Sequence, residues 1–166
     1  TESIKRNNTV LYTLTLPRVF GVFLNQNKVN AFTKEDVREA LERSVDKERI
    51  IREVLNGFGE SLVGPIPPGT FSALNPAKEP DIILTSSKEY ALSLLEKNGW
   101  IRDEETGALT NKKGDILTFS LSTSNIPDLV ETAHLLKTMW EEIGMRVEIK
   151  IFESSDLNQN VIRPRD

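Results

Sequence analysis

The chain has 166 residues, of which 38% are hydrophobic and 28% charged, and its formal net charge is −4. This length predicts about one domain, and the composition is typical of an ordinary globular protein. The acidic balance lacks the basic surface of nucleic-acid-binding proteins, so we expect no nucleic-acid partner. The absence of cysteine excludes disulfides and thiolate chemistry. No apolar run approaches the roughly 20 residues that a membrane-spanning helix needs.

The amino-terminal part of the chain has a strand pattern. Residues Val10–Leu16 alternate between two faces, which predicts a strand, and Pro17 then interrupts the pattern. Residues Arg18–Asn25 are expected to resume as a second extended run. Thr1 is not an initiator methionine, and the last four residues continue no helix or strand pattern. We therefore expect residues 1–166 to be a single domain cut from a longer protein.

Two consecutive helices are predicted after this segment. Thr33 is expected to cap the first helix, whose apolar residues recur at three- and four-residue spacing and predict a buried stripe. Asp46 is expected to cap a second helix over Lys47–Leu55, and Gly57 is expected to end it. The predicted buried residues are Val37, Ala40, Leu41 and Val45 in the first helix and Ile50, Ile51, Val54 and Leu55 in the second.

A covering loop and a third helix follow. Residues Gly57–Pro80 are rich in glycine, proline and serine, which is typical of a long loop that packs over a domain. Ser86 and Glu89 fit a capping box for a helix that ends at Gly99. Its predicted apolar stripe consists of Tyr90, Ala91, Leu94 and Leu95. Trp100 is expected to pack over the end of this helix.

The last third of the chain has the pattern of a β-α-β unit. Strands are predicted over Ile116–Ser122 and Arg146–Phe152, joined by a helix that begins at Pro127 and ends before Gly144. Two strands connected in this way are normally parallel. The charged alternate residues of the second strand predict an edge or a solvated face.

The sequence contains little that supports catalysis. His134 is the one histidine, it lies within a predicted helix, and neither HExxH nor GxSxG occurs. The acidic runs consist of adjacent residues, which do not face one pocket. We therefore predict no catalytic residue, no metal site and no cofactor.

Several segments together resemble one family. They are Asn25-Gln26-Asn27, Ala31-Phe32, Asp36–Leu41, Ser44–Ile50 with Gly57, Pro65–Pro68, Ala91–Trp100 and Leu136–Val147. In this order they resemble the oligopeptide- and dipeptide-binding proteins of ABC importers, the extracytoplasmic solute-binding protein family 5. The similarity extends over roughly residues 10–166.

The resemblance implies both a fold and a function. The fold would be α/β (α+β), part of the second, carboxy-terminal lobe of a periplasmic-binding-protein-like type II fold, with a mixed sheet flanked by helices. The protein would be a monomer in the periplasm or lipid-anchored outside the cell membrane. It would capture peptides or another small solute, such as a nickel chelate, a sugar or an opine, between two lobes and deliver it to ABC permease subunits.

The resemblance also implies ligand-binding residues. Phe152, Glu153 and Ser154 occupy the matching strand end, and Arg163 or Arg165 would offer charge to a ligand carboxylate. Asn25 is included with them. Two alternatives stay open at this point: a ligand-sensing module of a transcription regulator with the same fold, and a hydrolase that uses His134.

Overall fold

The computed structural model describes residues 16, 18–62, 64, 66 and 87–162. The chain divides into two compact units, one of Thr1–Val22 with Leu62–Asp81 and one of Phe23–Ser61 with Ile82–Asp166. In the first unit, the guanidinium of Arg18 lies 4.7 Å from the centre of the Phe20 ring. The predicted strand Val10–Leu16 and most of the predicted loop Gly57–Pro80 lie outside the described residues.

The second unit begins with a turn and two helices. Residues 18–25, of which 18–22 belong to the first unit, form no strand of a sheet, in contrast to the predicted extended run. A 3-10 turn, Asn30–Thr33, leads into α1 (Glu35–Arg43), and α2 (Lys47–Glu53) follows it. The apolar stripe predicted for α1 is confirmed, with Val45 partly buried and the remaining residues fully buried: Val37, Ala40 and Leu41.

The two predicted helix caps have different outcomes. Asp46 is the N-cap of α2, and its carboxylate accepts a 2.9 Å hydrogen bond from the backbone N–H of Arg49. The prediction for Thr33 was wrong, because Lys34 is the N-cap of α1 and no side chain caps it. The Thr33 hydroxyl instead donates to the carbonyl oxygen of Asn30, 2.7 Å away, inside the 3-10 turn.

This difference predicts unequal effects of alanine at the two positions. Asp46→Ala is expected to lower the free energy of unfolding by about 1 kcal/mol, because an orphan N–H of α2 loses its acceptor. Thr33→Ala, the matched control, is expected to change it by less than about 0.5 kcal/mol, since the side chain is exposed and caps no helix. Hydrogen exchange at the first amides of α2 measures both effects. Equal exchange in the two variants would contradict the assignment of the cap.

The second helix is shorter and less buried than predicted. It ends at Glu53, and Val54 is the one buried member of its predicted apolar face, while Ile50, Ile51 and Leu55 are half-buried. Asn56 and Gly57 have left-handed φ angles of 52° and 81°. The N–H of Gly57 donates to the carbonyl oxygen of Ile51 at 2.9 Å. The predicted helix stop at Gly57 is therefore confirmed, because glycine adopts this backbone conformation without strain.

Helix α3 spans Lys88–Lys97, and its cap and one face differ from the prediction. Ser87 is its N-cap and accepts from the N–H of Tyr90, so the cap lies one residue beyond Ser86, which is outside the described residues. Tyr90 is 42% exposed and is not part of the buried stripe. Its ring lies 5.2 Å from the guanidinium of Arg43, a cation–π distance that holds the ring on the surface of α1. The buried residues are Ala91, Leu94 and Leu95.

A short hairpin that the sequence analysis missed follows α3. Trp100 is half-buried and packs against the core, as predicted, and β1 (Ile101–Arg102) then pairs antiparallel with β2 (Leu109–Thr110). The Asp103 carboxylate accepts hydrogen bonds from the side chain and the backbone of Thr106, both at 2.7 Å, within the turn. These hydrogen bonds lower the pKa of Asp103, because they stabilise its charged form.

The predicted β-α-β unit is confirmed. Strand β3 (Thr118–Ser124) and strand β4 (Arg146–Phe152) are parallel, and α4 (Pro127–Glu142) connects them. Strand β3 begins two residues later than predicted, because Ile116 forms an isolated antiparallel bridge with Thr110. The charged alternate residues of β4 are exposed, which agrees with the predicted solvated face. Among the described strands there are thus two two-stranded sheets, one antiparallel and one parallel.

An aromatic cluster joins these elements in one core. The ring of Phe119 in β3 makes edge-to-face contacts with Phe32 and Trp140, at centroid distances of 5.2 and 5.5 Å. The indole N–H of Trp140 donates to the carbonyl oxygen of Leu41 at 3.1 Å, and this bond is buried. Helix α4 is therefore tied both to β3 and to the end of α1.

Candidate functional site

The two parallel strands end side by side. Ser124, the last residue of β3, is in register with Phe152, the last residue of β4. Parallel strands have their carboxyl ends at one edge of a sheet, where open α/β folds bind ligands. We call residues 124–126 and 152–154 the strand-end edge.

Asn125 connects the two halves of this edge. Its backbone N–H donates to the carbonyl oxygen of Phe152 at 2.9 Å. Its side-chain amide donates to the Oε2 atom of Glu153 at 2.8 Å. Glu153 is exposed, and its carboxylate keeps further acceptor sites beyond this one hydrogen bond.

Ser124 is the buried polar residue of the edge. It is 4% exposed, and its hydroxyl has no hydrogen-bond partner within the described part of the chain. The short helix α5 (Ser154–Leu157) packs against the end of β3 and belongs to the same corner. A buried hydroxyl without a protein partner is uncommon, so Ser124 is the polar group of this corner that the described residues leave free to accept or donate.

The charge around the strand-end edge is negative. Glu153 lies on it, Asp128 is in the first turn of α4, and Asp156 is in the first turn of α5. Neither residues 123–133 nor residues 151–162 contain a lysine, arginine or histidine. The described part of this edge is therefore suited to a cationic or hydrogen-bond-donating group, and poorly suited to an anion.

The predicted ligand-binding residues occupy different places. Phe152, Glu153 and Ser154 lie together at the strand-end edge, Phe152 half-buried and the other two exposed. Asn25 lies in a turn, where its side-chain oxygen accepts from the N–H groups of Asn27 and Lys28 at 3.0 and 3.2 Å. No hydrogen bond among the described residues joins Asn25 to the edge. Arg163 and Arg165 lie outside the described residues, so their roles stay predictions.

Two residues of the edge were missed by the sequence analysis. Ser124 and Asn125 follow β3 in the same way that Glu153 and Ser154 follow β4. The signal was available, because the parallel pairing was predicted and the rule of shared carboxyl ends applies to both strands. The predicted end of β3 lay two residues too early, which placed these residues in the connection to α4.

The opposite end of the sheet has a shallow depression with a different character. Lys137, Glu141, Arg146 and Glu148 contribute its charged lining. The Lys137 ammonium donates to the carbonyl oxygen of Val147 at 2.8 Å and lies 3.4 Å from the Glu141 carboxylate. These charges compensate one another within the protein, so the depression offers less to a ligand than the strand-end edge does.

The described residues give little support for catalysis or metal binding. His134 is an exposed residue of α4, as predicted. Across the described residues, no group of three or more His, Asp or Glu side chains is arranged to hold a metal ion. The same part of the chain includes no helix that is both long and apolar enough to span a membrane.

Comparison with known proteins identifies the family. Residues 2–164 match the bacterial extracellular solute-binding proteins, family 5 (middle region). The chain belongs to this family. Its members are binding proteins of ABC transporters rather than enzymes, so the predicted absence of catalytic function agrees with the family, and the hydrolase alternative does not.

Individual relatives agree with this assignment. The oligopeptide-binding protein AppA of Bacillus subtilis is 28% identical over 145 residues, which cover 86% of this chain and 26% of AppA. The structure of AppA in complex with a nonapeptide superimposes with a TM-score of 0.71 at 27% identity, over 80% of this chain and 26% of that one.

More distant structures share the fold alone. NikA from Brucella suis, in complex with Fe(III)-EDTA, has a TM-score of 0.69 at 21% identity, over 82% of this chain and 26% of NikA. NikZ from Campylobacter jejuni, in complex with Ni(L-His), has a TM-score of 0.66 at 23% identity, over 80% and 26% of the two chains. The chain thus spans about a quarter of the length of these relatives, and the predicted α/β architecture is confirmed as part of their fold.

Proposed function

We propose that this chain is part of the substrate-binding component of an ABC importer. It captures a peptide or a similar small solute between two lobes and delivers it to membrane permease subunits. Family membership supports a solute receptor, and the similarity to AppA, whose structure contains a nonapeptide, supports a peptide as the proposed solute. In this proposal the chain is part of the second, carboxy-terminal lobe, and the protein works as a monomer outside the cytoplasm.

The observation that carries the proposal is the strand-end edge. Glu153 presents an exposed carboxylate that accepts a hydrogen bond from Asn125, and residues 123–133 and 151–162 contain no basic side chain that would compete for it. An ammonium group, such as a peptide amino terminus or a lysine side chain, is the complementary ligand. Phe152 supplies an apolar surface beside it, and Ser154 supplies a hydroxyl.

The remaining predicted residues complete the proposed site. Arg163 and Arg165 follow the edge in sequence and would pair with a ligand carboxylate, so a zwitterionic peptide meets charges of both signs. Asn25 keeps the free N–H groups of its amide available for a ligand, since its oxygen is used by the turn. One lobe provides one wall, and closure of the second lobe excludes water and strengthens these contacts. We therefore expect the isolated chain to bind ligand weakly.

Native mass spectrometry of the full-length protein, with gentle desolvation, tests the proposal. A ladder of bound masses that fragment as peptides is the expected result. A single bound mass that corresponds to a metal complex or a sugar would agree with a solute receptor but would show that its ligand is not a peptide. A protein that is empty and does not bind added peptides would contradict the proposal and favour the sensor alternative.

Glu153→Gln is expected to weaken binding of a peptide with a free amino terminus by about five- to tenfold. The reason is that a charge-assisted hydrogen bond becomes a neutral one, which loses about 1–1.5 kcal/mol of binding free energy. Isothermal titration calorimetry with the free and the N-acetylated form of one peptide measures the effect. The acetylated peptide is expected to bind Glu153→Gln and the unmodified protein with the same affinity.

Glu148→Gln is the matched control for this measurement. It makes the same substitution within β4, at an exposed position that pairs with Lys150 and lies toward the opposite end of the sheet from the strand-end edge. It is expected to leave both affinities unchanged. If Glu153→Gln loses the same affinity for the free and the acetylated peptide, this result would contradict the proposed contact between Glu153 and the peptide amino terminus.

A further inference from the structure

The chain contains two Asn-Gly pairs, Asn56-Gly57 and Asn98-Gly99, at the ends of α2 and α3. Such pairs are chemically labile, because glycine has no Cβ to keep its backbone nitrogen from approaching the preceding side-chain amide. Attack of that nitrogen closes a five-membered ring and releases ammonia. The structure places the two pairs in different environments, which allows their reactivities to be compared within one molecule.

Asn98 is held by the fold. Its side-chain amide donates to the carboxylate of Asp36 at 2.8 Å and to the carbonyl oxygen of Leu94 at 3.1 Å, and the residue is half-buried. Both hydrogen bonds must break before the amide carbon can turn toward the nitrogen of Gly99. The contact with Asp36 also ties the end of α3 to the first turn of α1.

Asn56 has no comparable restraint. It is exposed, and its side chain makes no hydrogen bond to any residue in the described part of the chain. Its backbone is left-handed at φ 52°, and nothing lies within 4 Å of the position where a Cβ of Gly57 would be.

The two glycines do not explain a difference between the pairs. The N–H groups of Gly57 and Gly99 each donate to a carbonyl oxygen at 2.9 Å, on Ile51 and Glu96 respectively. Both glycines have a φ of 81°. The contrast therefore lies in the asparagines, because Asn98 has a φ of −95° and a hydrogen-bonded side chain, whereas Asn56 has the left-handed backbone and no such hydrogen bonds among the described residues.

We propose that Asn56 is a site of spontaneous deamidation and that the hydrogen bond to Asp36 protects Asn98. The nitrogen of Gly57 bonds to the Cγ atom of Asn56, the Cγ–Nδ2 bond breaks, and ammonia leaves with the proton lost from the Gly57 amide. One water then opens the succinimide at either of its two carbonyl carbons, giving aspartate or isoaspartate. The product adds a negative charge at the carboxyl end of α2, where the helix dipole disfavours it.

The test is a time course of the full-length protein at mildly alkaline pH, followed by peptide mapping with mass spectrometry. We expect deamidation at position 56 to be about tenfold faster than at position 98, the factor expected from two hydrogen bonds that must break first. Equal rates at the two positions, or a faster rate at position 98, would overturn the proposal.

Two controls separate the fold from the local sequence. In the urea-unfolded protein, both pairs are expected to react at similar rates, because the Asp36 contact is lost. In folded Asp36→Ala, the rate at Asn98 is expected to rise several-fold toward that at Asn56, while the rate at Asn56 stays constant. A rate at Asn98 that does not change in this variant would show that Asp36 is not the protecting group.

Discussion

Replacing Trp140 with alanine is expected to lower the free energy of unfolding by about 3–5 kcal/mol, the range for truncating a fully buried aromatic side chain. Trp140 is 2% exposed, contacts the ring of Phe119 edge to face, and donates a buried hydrogen bond to the carbonyl oxygen of Leu41. The substitution therefore leaves a cavity between α4 and β3 and removes one of the two buried hydrogen bonds to the carbonyl oxygen of Leu41, which still accepts from the Ser44 hydroxyl at 3.0 Å. The cavity and the lost hydrogen bond both destabilise the same hydrophobic core.

Trp140→Phe separates these two terms. Phenylalanine keeps most of the apolar surface but cannot donate to Leu41, whose carbonyl oxygen retains the hydrogen bond from Ser44, so a loss of about 0.5–1.5 kcal/mol is expected from the one lost hydrogen bond. Ile101→Ala, at a position that is 58% exposed, is the control and should change stability by less than about 0.5 kcal/mol. Native-state hydrogen exchange over residues 118–152 of the full-length protein measures all three. Similar losses in Trp140→Ala and Ile101→Ala would contradict the assigned role of the indole.

The parts of the fold that were predictable are those with local signals. Pro127 at the first position of α4 and Gly144 after its end bracket a helix between two alternating segments, and the parallel pairing follows from their connection. Asp46 capped α2 as predicted for the same reason. Each of these features depends on a few adjacent residues, whatever packs around them.

The features that were mispredicted depend on contacts that residue type and spacing do not show. Thr33 has the chemistry of a cap, but the 3-10 turn before α1 uses its hydroxyl. Tyr90 has the spacing of a buried residue, but Arg43 and the Glu39 carboxylate hold its ring and hydroxyl at the surface of α1. The hairpin of β1 and β2 has two residues in each strand, too few for an alternating pattern to appear.

The family and the ligand site were predictable to different degrees for a physical reason. The segments that carried the resemblance include Phe32, Leu41 and Trp140, which form the buried core and its central hydrogen bond. They identify the fold because packing requires them, and they contain no information about what the fold binds. The strand-end edge lies beyond these segments, and the pairing of Asn125 with Glu153 becomes visible only when the two strands are in register.

The second large effect is expected at Gly144, which lies between α4 and β4 with a left-handed φ of 95°. A Cβ at this position would be 2.5 Å from the carbonyl oxygen of Gly107 and 2.9 Å from the nitrogen of Leu109. Leu109 also donates a 2.7 Å hydrogen bond to the carbonyl oxygen of Gly144, so the two backbones cannot separate without losing it. Gly144→Ala is expected to lower the free energy of unfolding by about 2–5 kcal/mol, because it strains the backbone and overpacks the contact with Gly107 and Leu109.

Gly114→Ala isolates the backbone part of this cost. Gly114 has a similar φ of 84°, and nothing lies within 4 Å of its would-be Cβ. Alanine there is expected to cost about 1–2 kcal/mol, the penalty for a left-handed conformation alone. Hydrogen exchange at the amides of Leu109 and of strand β4 measures both variants. If the two substitutions lower the free energy of unfolding equally, the hairpin of β1 and β2 does not pack closely against Gly144 in solution. If Gly144→Ala lowers stability more than Gly114→Ala does, the close approach at Gly144 contributes to holding the hairpin against the β-α-β unit, beside the hydrogen bond from the N–H of Leu117 to the carbonyl oxygen of Leu109.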